Sequence, residues 1–369
     1  MSRDPPLTFY EFFAGGGMAR LGLGQAWACA FANDFDPVKV ATYRQNFGGE
    51  DLVEGDVWKL SPADLSGRAD LAWASSPCQD FSLAGARAGL KGGRSSAFFG
   101  FWRLIEALAA EDRAPRAIVI ENVVGLLTSH GGQDFEALCR ALAGQGYRVG
   151  ALEIDTARFT PQSRPRVFIL ASREVKPELT GDSPFHTPAV RAAFDRLPAD
   201  VKAAWVWWRL PAPPTRNTSL AAMIEEDDAV AWRSDADTAR LLSLMSPAHR
   251  ARLQQPGRTV GTVFRRTRAD GQRAEVRTDG LAGCLRTPRG GSSRQTVVVA
   301  EDGAVRSRLM TGREGARLMG LPDSYVLPGS TTAALHVVGD GVAAPVVRWL
   351  AKHLLEPLLL SSAPAIAAE

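Results

Sequence analysis

The sequence of 369 residues contains only four cysteines, and no two of them form a Cys-x-x-Cys motif. Their spacing predicts neither a zinc site nor a disulfide framework. No run of 18 apolar residues occurs, and the first residues lack the apolar stretch of a signal peptide, so we expect no membrane span. These absences favour a reduced, cytoplasmic protein.

Lysine is also scarce, with six residues among the 43 basic ones, and the formal net charge is only +3. The charge is unevenly distributed, because nine arginines and three acids lie between Arg258 and Arg294. Such a segment can neutralise nucleic-acid phosphates, and a solvated basic face is the alternative interpretation.

Short apolar runs alternate with amphipathic stretches in the first half of the chain, which is typical of β-α-β units around a mostly parallel sheet. Strands are predicted at residues 7–13, 70–74, 117–120 and 167–171, and helices at 95–110 and 134–143. After residue 172 the alternation stops, which predicts a second, less regular domain. Its tryptophans at positions 205, 207 and 208 are expected in the aromatic core of this small domain, and stacking on a ligand is the alternative, which their spacing does not decide. A capping box at residues 311–314 predicts the start of a later helix.

A glycine-rich turn, Phe-Phe-Ala-Gly-Gly-Gly at residues 12–17, follows the first predicted strand. Backbone N–H groups at such a turn, where a helix begins, can approach a ligand closely. Asp34 follows about 20 residues later, where a carboxylate can accept both hydroxyl groups of a ribose. Asp56 lies in a third loop, where it could accept a hydrogen bond from an adenine amino group. Together these residues predict a site for an adenosine-bearing cofactor.

A second group of motifs points to covalent chemistry. Cys78 lies in a Ser-Pro-Cys-Gln motif after a predicted strand, where its thiolate is a candidate nucleophile. Glu121 follows the next predicted strand and would lie beside Cys78 if the two strands are neighbours; a capping or salt-bridged Glu is the alternative. Arg164 and Arg166 point the same way on an extended segment and could fix a polar group between them.

Taken in order, these motifs resemble those of the bacterial DNA (cytosine-5) methyltransferase family. The resemblance covers nearly the whole chain except residues 173–280. It rests on Phe-Ala-Gly-Gly-Gly (13–17), Asn-Asp-Phe-Asp (33–36), Gly-Asp-Val (55–57), Pro-Cys-Gln (77–79), Glu-Asn-Val (121–123), Gln-Ser-Arg-Pro-Arg (162–166), the segment 308–323 and Gly-Asp-Gly-Val (339–342).

The resemblance implies an α/β fold with a Rossmann-like class I methyltransferase domain and a smaller, irregular target-recognition domain. We expect residues 1–172 and 300–369 to form the catalytic domain and residues 173–299 to form the target-recognition domain. The implied reaction transfers a methyl group from S-adenosylmethionine to C5 of a cytosine that is flipped out of duplex DNA. No metal is required.

The resemblance also implies roles for individual residues. Cys78 would attack C6 of cytosine, Glu121 would hold or protonate N3, and Arg166, with Arg164 second, would contact the O2 side. The implied catalytic set is Cys78, Gln79, Glu121, Arg164 and Arg166. The implied cofactor-binding set is Phe13, Ala14, Gly15, Gly16, Gly17, Asp34, Phe35, Asp56, Val57, Pro77, Asp340, Gly341 and Val342. The expected DNA-binding residues are Ser82, Arg94, Arg265, Arg266, Arg268, Arg286 and Arg289.

Three other functions are compatible with parts of this pattern. A related branch methylates cytosine in transfer RNA with the same motifs, although the Arg-rich insert favours duplex DNA. A nicotinamide or flavin enzyme would use the glycine-rich turn but leave the Cys, Glu and Arg motifs unexplained. A catalytically inert DNA-binding relative is the third alternative, and the intact catalytic positions argue against it. We expect a monomer, because one chain contains every catalytic element.

Overall fold

Seven strands of the first half of the chain form one sheet. The computed structural model describes residues 6–76, 97–268, 271–286 and 294–360. The strands are β1 (Leu7–Phe12), β2 (Trp27–Asp34), β3 (Leu52–Glu54), β4 (Leu71–Ala74), β5 (Ala117–Val123), β6 (Arg148–Asp155) and β7 (Pro165–Ser172). Their order in the sheet is β3-β2-β1-β4-β5-β7-β6. The pairings among β1 to β5 are parallel, and β7 runs antiparallel to β5. The predicted α/β class with a mostly parallel sheet is confirmed.

The central strands are largely apolar, as is usual for parallel strands that helices cover on both faces. Every residue of β4 is buried. The helices that follow strands are α1 (Met18–Leu23), α2 (Pro37–Phe47), α3 (Ala97–Ala110) and α4 (Gln133–Gly144). Phe101, Ile105 and Leu108 of α3 belong to the same core as Ile118 and Ile120 of β5. The predicted strands and the two predicted helices are therefore present, with ends shifted by a few residues.

One shift in strand length affects the site. The predicted strand at 117–120 continues to Val123, because antiparallel pairing with β7 extends to the pair Val123 and Arg166. Glu121 and Asn122 therefore lie inside β5 rather than in the loop after it. Successive side chains of a strand point to opposite faces of the sheet. The pairing with β7 therefore fixes the directions of the Glu121 and Asn122 side chains.

Beyond β7 the chain adds two short helices, α5 (Pro188–Arg196) and α6 (Ala199–Lys202). Trp205 and Trp208 follow them and are 7% and 0% exposed. The ring of Trp205 packs on Phe135 of α4 and Phe194 of α5. Both tryptophans are buried, as expected, but Trp205 belongs to the core of the seven-stranded sheet rather than to the core of a separate small domain.

A second, antiparallel sheet of four strands lies later in the chain. Its strands are β8 (Thr259–Arg268), β9 (Gly271–Arg277), β10 (Thr296–Glu301) and β11 (Ala304–Leu309), in the order β11-β10-β8-β9. Its apolar face packs against residues from α7 (Asp235–Ser243) and from the segment around α8 (Pro247–Ala251). Four more helices follow: α9 (Gly312–Leu318), α10 (Thr331–Asp340), α11 (Ala344–Leu350) and α12 (Glu356–Leu359). The predicted capping box is present at α9, where Thr311 and Glu314 cap each other.

The contacts divide the chain into two compact units. The first contains residues 1–154, 165–213 and 346–369, and the second contains residues 155–164 and 214–345. These divisions differ from the expected functional boundaries at residues 172 and 299, which stay a prediction. In the described part of the chain, none of the helices has the length and apolar character needed to cross a bilayer.

Candidate active site

The turn between β1 and α1 has an unusual backbone. Phe13, Gly15 and Gly17 all have positive φ angles, of 56°, 57° and 79°, a region that favours glycine. At Gly17 a side chain is excluded, because an added Cβ would lie 2.4 Å from a ring carbon of Phe47. At Gly15, in contrast, an added Cβ would meet nothing within 4 Å. The turn therefore packs against the Phe47 ring at Gly17, whereas the space beside Gly15 is open.

Asp34, at the end of β2, holds this turn in place. Its Oδ2 accepts a hydrogen bond of 2.8 Å from the N–H of Gly15, and its Oδ1 accepts one of 2.9 Å from the N–H of Asp36. Burial raises the pKa of Asp34, against the lowering effect of these N–H groups. Each carboxylate oxygen keeps a second lone pair that can accept a ribose hydroxyl. The neighbouring Phe35 is 69% exposed, so its ring is available to stack on a base.

The end of β3 is fixed by a residue that the sequence analysis did not select. The side-chain amide of Asn33 donates to the carbonyl groups of Val53 and Gly55, each at 2.9 Å. The carboxylate of Asp56 then accepts from the N–H of Trp58 at 3.0 Å. Val57 is buried, so its side chain belongs to the core, and Asp56 is the residue of this loop with an exposed carboxylate.

A second unselected residue, Asn122, links the ends of β4 and β5. Its side-chain amide donates to the carbonyl oxygen of Ser76 at 3.1 Å and approaches the Ser76 hydroxyl at 3.4 Å. Both residues are buried, at 3% and 5% exposure. Ser76 is the last described residue before Pro77 and Cys78 in the sequence. The sequence signal for Asn122 was its place between Glu121 and Val123 in the quoted motif.

Glu121 and Arg166 form an ion pair across β5 and β7, with 3.1 Å between Arg166 Nε and Glu121 Oε1. Both side chains are largely buried. A second guanidinium nitrogen of Arg166 donates to the carbonyl of Pro165 at 2.8 Å. The ion pair therefore brings together Glu121 and Arg166, two of the residues predicted to be catalytic.

Arg164 differs from the expectation that it contacts the substrate beside Arg166. It is 2% exposed, and its guanidinium donates to the carbonyl groups of Leu285, Gly339 and Gly341 at 2.8, 3.0 and 2.7 Å. Because its N–H groups donate to these buried carbonyl groups, the guanidinium links separate segments of the protein backbone. Arg164 and Arg166 were expected to point the same way and to fix one polar group between them, but the two side chains have separate partners. The structure therefore gives Arg164 a positioning role within the second compact unit.

The other predicted residues of the second unit have varied surroundings. Asp340 lies 3.2 Å from Nε2 of His336, the carbonyl of Gly341 accepts from Arg164, and Val342 is buried. Arg266 pairs with Glu275 at 3.2 Å, Arg265 is half-buried and Arg286 is exposed.

Some predicted site residues lie outside the residues that the structure describes, namely Pro77, Cys78, Gln79, Ser82, Arg94 and Arg289. The side chain of Arg268 also lies outside them. Within the described ranges, no cluster of three or more His, Cys, Asp or Glu side chains could hold a metal ion.

Comparisons with known proteins match nearly the whole chain to DNA methyltransferases. A family model of C-5 cytosine-specific DNA methylases matches residues 7–356. Type II methyltransferase M.HpaII of Haemophilus parainfluenzae is 27% identical over 369 residues, which cover 95% of this chain and 90% of that protein. Type II methyltransferase M.HhaI of Haemophilus parahaemolyticus is 25% identical over 350 residues, which cover 94% of each chain.

Two solved structures share the fold. The S. pombe Dnmt2 methyltransferase matches with a TM-score of 0.61 at 18% identity, covering 95% of this chain and 99% of that one. A putative DNA modification methyltransferase encoded within an E. coli prophage matches with a TM-score of 0.55 at 18% identity, covering 96% and 99%. At these identities the likeness concerns the fold alone.

Proposed function

The chain belongs to the C-5 cytosine-specific DNA methylase family, and from this premise we propose that Cys78, Glu121 and Arg166 methylate C5 of a cytosine in duplex DNA. The family works through a covalent adduct between a cysteine and C6 of the base. One observation carries the residue assignment: Asn122, the neighbour of Glu121, donates a hydrogen bond to Ser76, two residues before Cys78. This bond supports a common site for the carboxylate and the nucleophile at the carboxyl ends of β4 and β5, where such folds bind their ligands.

The residues around Gly15 fit S-adenosylmethionine, the methyl donor implied by the family. The backbone is open at Gly15, Asp34 has lone pairs for a ribose, and Phe35 presents an exposed ring. We assign the methionine part to the turn at 13–17, the ribose to Asp34, and the adenine to Phe35 and Asp56. When bound, the cofactor supplies an electrophilic methyl group. Pro77, Asp340, Gly341 and Val342 remain further predicted members of this site.

The chemistry required of the protein side chains follows from cytosine, whose C5 is a poor nucleophile. The thiolate of Cys78 forms a bond to C6, and the ring electrons shift toward C5 and N3. Glu121 holds or protonates N3 and so offsets the developing charge. C5 then takes the methyl group, with S-adenosylhomocysteine as the leaving group, and a base removes the C5 proton. The bond between sulfur and C6 breaks by elimination, and a proton given to N3 returns to Glu121. Arg166 keeps the Glu121 carboxylate in position and contacts the O2 side of the ring, with Gln79 a further predicted residue of the pocket.

The cytosine must leave the duplex to reach Cys78, since its ring is inaccessible inside the base stack. We assign DNA contacts to the arginines of the β8–β9 hairpin and the loop after it, whose side chains can bind phosphates or guanine edges. The proposed DNA-binding residues are Ser82, Arg94, Arg265, Arg266, Arg268, Arg286 and Arg289. The proposed active species is a monomer.

A methyl-transfer assay tests this proposal. Purified protein is incubated with tritiated S-adenosylmethionine and either duplex DNA or transfer RNA, beside the variants Cys78→Ala and Cys139→Ala. Cys139 is a matched control, because it lies on the buried face of α4, in the hydrophobic core. We expect label in DNA with wild type and Cys139→Ala and none with Cys78→Ala. Label in transfer RNA alone, or robust turnover by Cys78→Ala, would contradict the proposal.

A further inference from the structure

Gln295, which the sequence analysis did not select, lies in the second compact unit immediately before β10. It is 4% exposed. Its Oε1 accepts a hydrogen bond of 3.1 Å from the N–H of Gly283, and its Nε2 donates one of 2.7 Å to the carbonyl of the same residue. The carbonyl of Gln295 itself accepts from the N–H of Met310 at 3.0 Å. The buried amide therefore ties the backbone of Gly283 to the edge of the second sheet.

Gly283 permits this pairing because it has no side chain. An added Cβ at this position would lie 1.6 Å from a ring carbon of Phe264 on β8. The backbone of Gly283 thus packs directly against the ring, a close approach that only glycine allows. Both packing and the two hydrogen bonds from Gln295 hold this part of the chain.

The backbone around this glycine is held by the segment 161–164, which belongs to the same compact unit. Ala282 makes two backbone hydrogen bonds to this segment, of 2.7 and 2.9 Å. The N–H of Leu285 donates to Oε1 of Gln162 at 3.1 Å, and the carbonyl of Leu285 accepts from Arg164 at 2.8 Å. Both glutamine and arginine are buried. The backbone of residues 282–285 is therefore fixed from several directions.

Arg286 follows this fixed segment directly, and its side chain is exposed. A guanidinium that donates to both O6 and N7 of one guanine must be held within a narrow range of positions and angles. A phosphate contact, in contrast, carries no sequence information. A fixed backbone before an exposed arginine therefore favours recognition of a base over contact with a phosphate.

We propose that Gln295 is a positioning residue for sequence recognition, which directs Arg286 to the edge of a guanine by fixing the backbone of Gly283. The proposal rests on the proposed function, which makes duplex DNA the substrate. The buried Gln295 acts through Arg286 and contacts no base itself. Loss of its amide therefore weakens recognition at the base pair that Arg286 contacts and leaves recognition of the other base pairs intact.

The test compares methyl transfer to duplexes that contain the recognised sequence, first mapped in DNA methylated by wild type, and to duplexes with one base pair of it changed. The variants are Gln295→Ala, Gln295→Met, Arg286→Gln, and Gln295→Met combined with Arg286→Gln. Gln295→Met keeps a side chain of similar size and removes both hydrogen bonds, so the test does not depend on the folding of Gln295→Ala. Thr238→Val is the control, because it removes a buried contact of 2.9 Å with the Ser307 hydroxyl in the same unit.

We expect Gln295→Met and Arg286→Gln to lower the ratio of kcat/KM between recognised and changed duplexes by about 10-fold or more at the same base pair, as for a lost bidentate base contact. The double variant should lose no more than Arg286→Gln alone, because the two residues act as one unit. The loss should lie in the KM for DNA, with kcat and the Kd for the cofactor within a few-fold of wild type. Thr238→Val should keep the wild-type ratio at every base pair.

Three results would overturn the inference. They are wild-type ratios in Gln295→Met, an equal loss in Thr238→Val, and an Arg286→Gln variant that is slower on all duplexes by the same factor, as for a phosphate contact. A wild type that methylates no DNA would count against the proposed function. A sequence-specific wild type whose ratios are unchanged in Gln295→Met would reject the positioning role alone.

Discussion

Glu121 and Arg166 are brought together by strand register rather than by sequence proximity. Val123 opposes Arg166 in the antiparallel pair β5–β7, and Glu121 lies two residues back on β5. The resulting contact of 3.1 Å is largely shielded from water. Charge-assisted hydrogen bonds of this kind are stronger and more directional than neutral ones. The carboxylate that we assign to N3 of cytosine is therefore oriented before the base arrives.

Glu121→Gln should lower the turnover number by about 10²- to 10⁴-fold, the usual range for loss of general acid–base catalysis. The amide is similar in size and can still accept from Arg166, but it cannot supply the proton. Single-turnover methyl transfer measures the chemical step, and calorimetry should give an unchanged Kd for the cofactor. Glu174→Gln is the control, because Glu174 also pairs with an arginine, Arg116, at 2.7 Å. Turnover by Glu121→Gln within a few-fold of wild type would reject the assigned role.

The ends of β4 and β5 are joined by Asn122, which fixes the backbone at Ser76. Strand pairing alone does not fix this point, because the parallel pairing of β4 with β5 ends at Ala74 and Ile120. The side-chain amide thus extends the link between the two elements beyond their last backbone pair. We regard Asn122 as a positioning residue for the segment that contains Cys78.

Asn122→Ala should lower turnover by roughly 10-fold or more without weakening cofactor binding, since misplacement of a reacting group slows the chemical step. It should also cost about 1–3 kcal/mol of stability, because the Ser76 carbonyl would lose its buried donor. The control is Asn46→Ala, which removes a bond of 2.8 Å from Asn46 to the carbonyl of Thr42 in α2. A loss of stability in Asn122→Ala with an unaltered turnover number would show that the residue is only structural.

Across the whole molecule, local pattern was sufficient to predict much of the fold. The four strands and two helices that were predicted in the first half follow clear apolar patterns, and the capping box at Thr311 and Glu314 is a local signal. Pattern could not predict the partners of Arg164, because they lie more than 100 residues away in sequence. The same limit applies to the compact units, since residues 155–164 join residues 214–345 through tertiary contacts. The ion pair of Glu121 likewise depends on how β7 pairs with β5.

Glu11 should make the stability of the whole molecule depend on pH. It is 1% exposed on β1, its Oε1 accepts from the N–H of Arg20 at 3.3 Å, and its Oε2 has no partner within the described residues. Burial raises its pKa from 4.5 to about 8. The folded state therefore retains a proton that the unfolded state loses above pH 4.5, so this group's contribution to stability declines as pH rises toward 8.

Glu11→Gln should remove this decline. The difference in free energy of unfolding between the variant and wild type should shift in favour of the variant as pH rises from 5 to 8, as measured by urea unfolding. The control Glu50→Gln changes an exposed carboxylate and should follow the wild-type profile. Parallel profiles for Glu11→Gln and wild type would show that Glu11 is ionised in the folded protein.

The most direct test of the central claim is base-resolution mapping of 5-methylcytosine in DNA from a methylation-free bacterial host that expresses this chain. Cultures expressing Cys78→Ala and the core control Cys139→Ala are mapped beside it. We predict that wild type and Cys139→Ala methylate cytosines within one short recurring sequence and that Cys78→Ala leaves the DNA unmodified. Unmodified DNA from cells containing soluble wild-type protein, or methylation that persists in Cys78→Ala, would contradict the account.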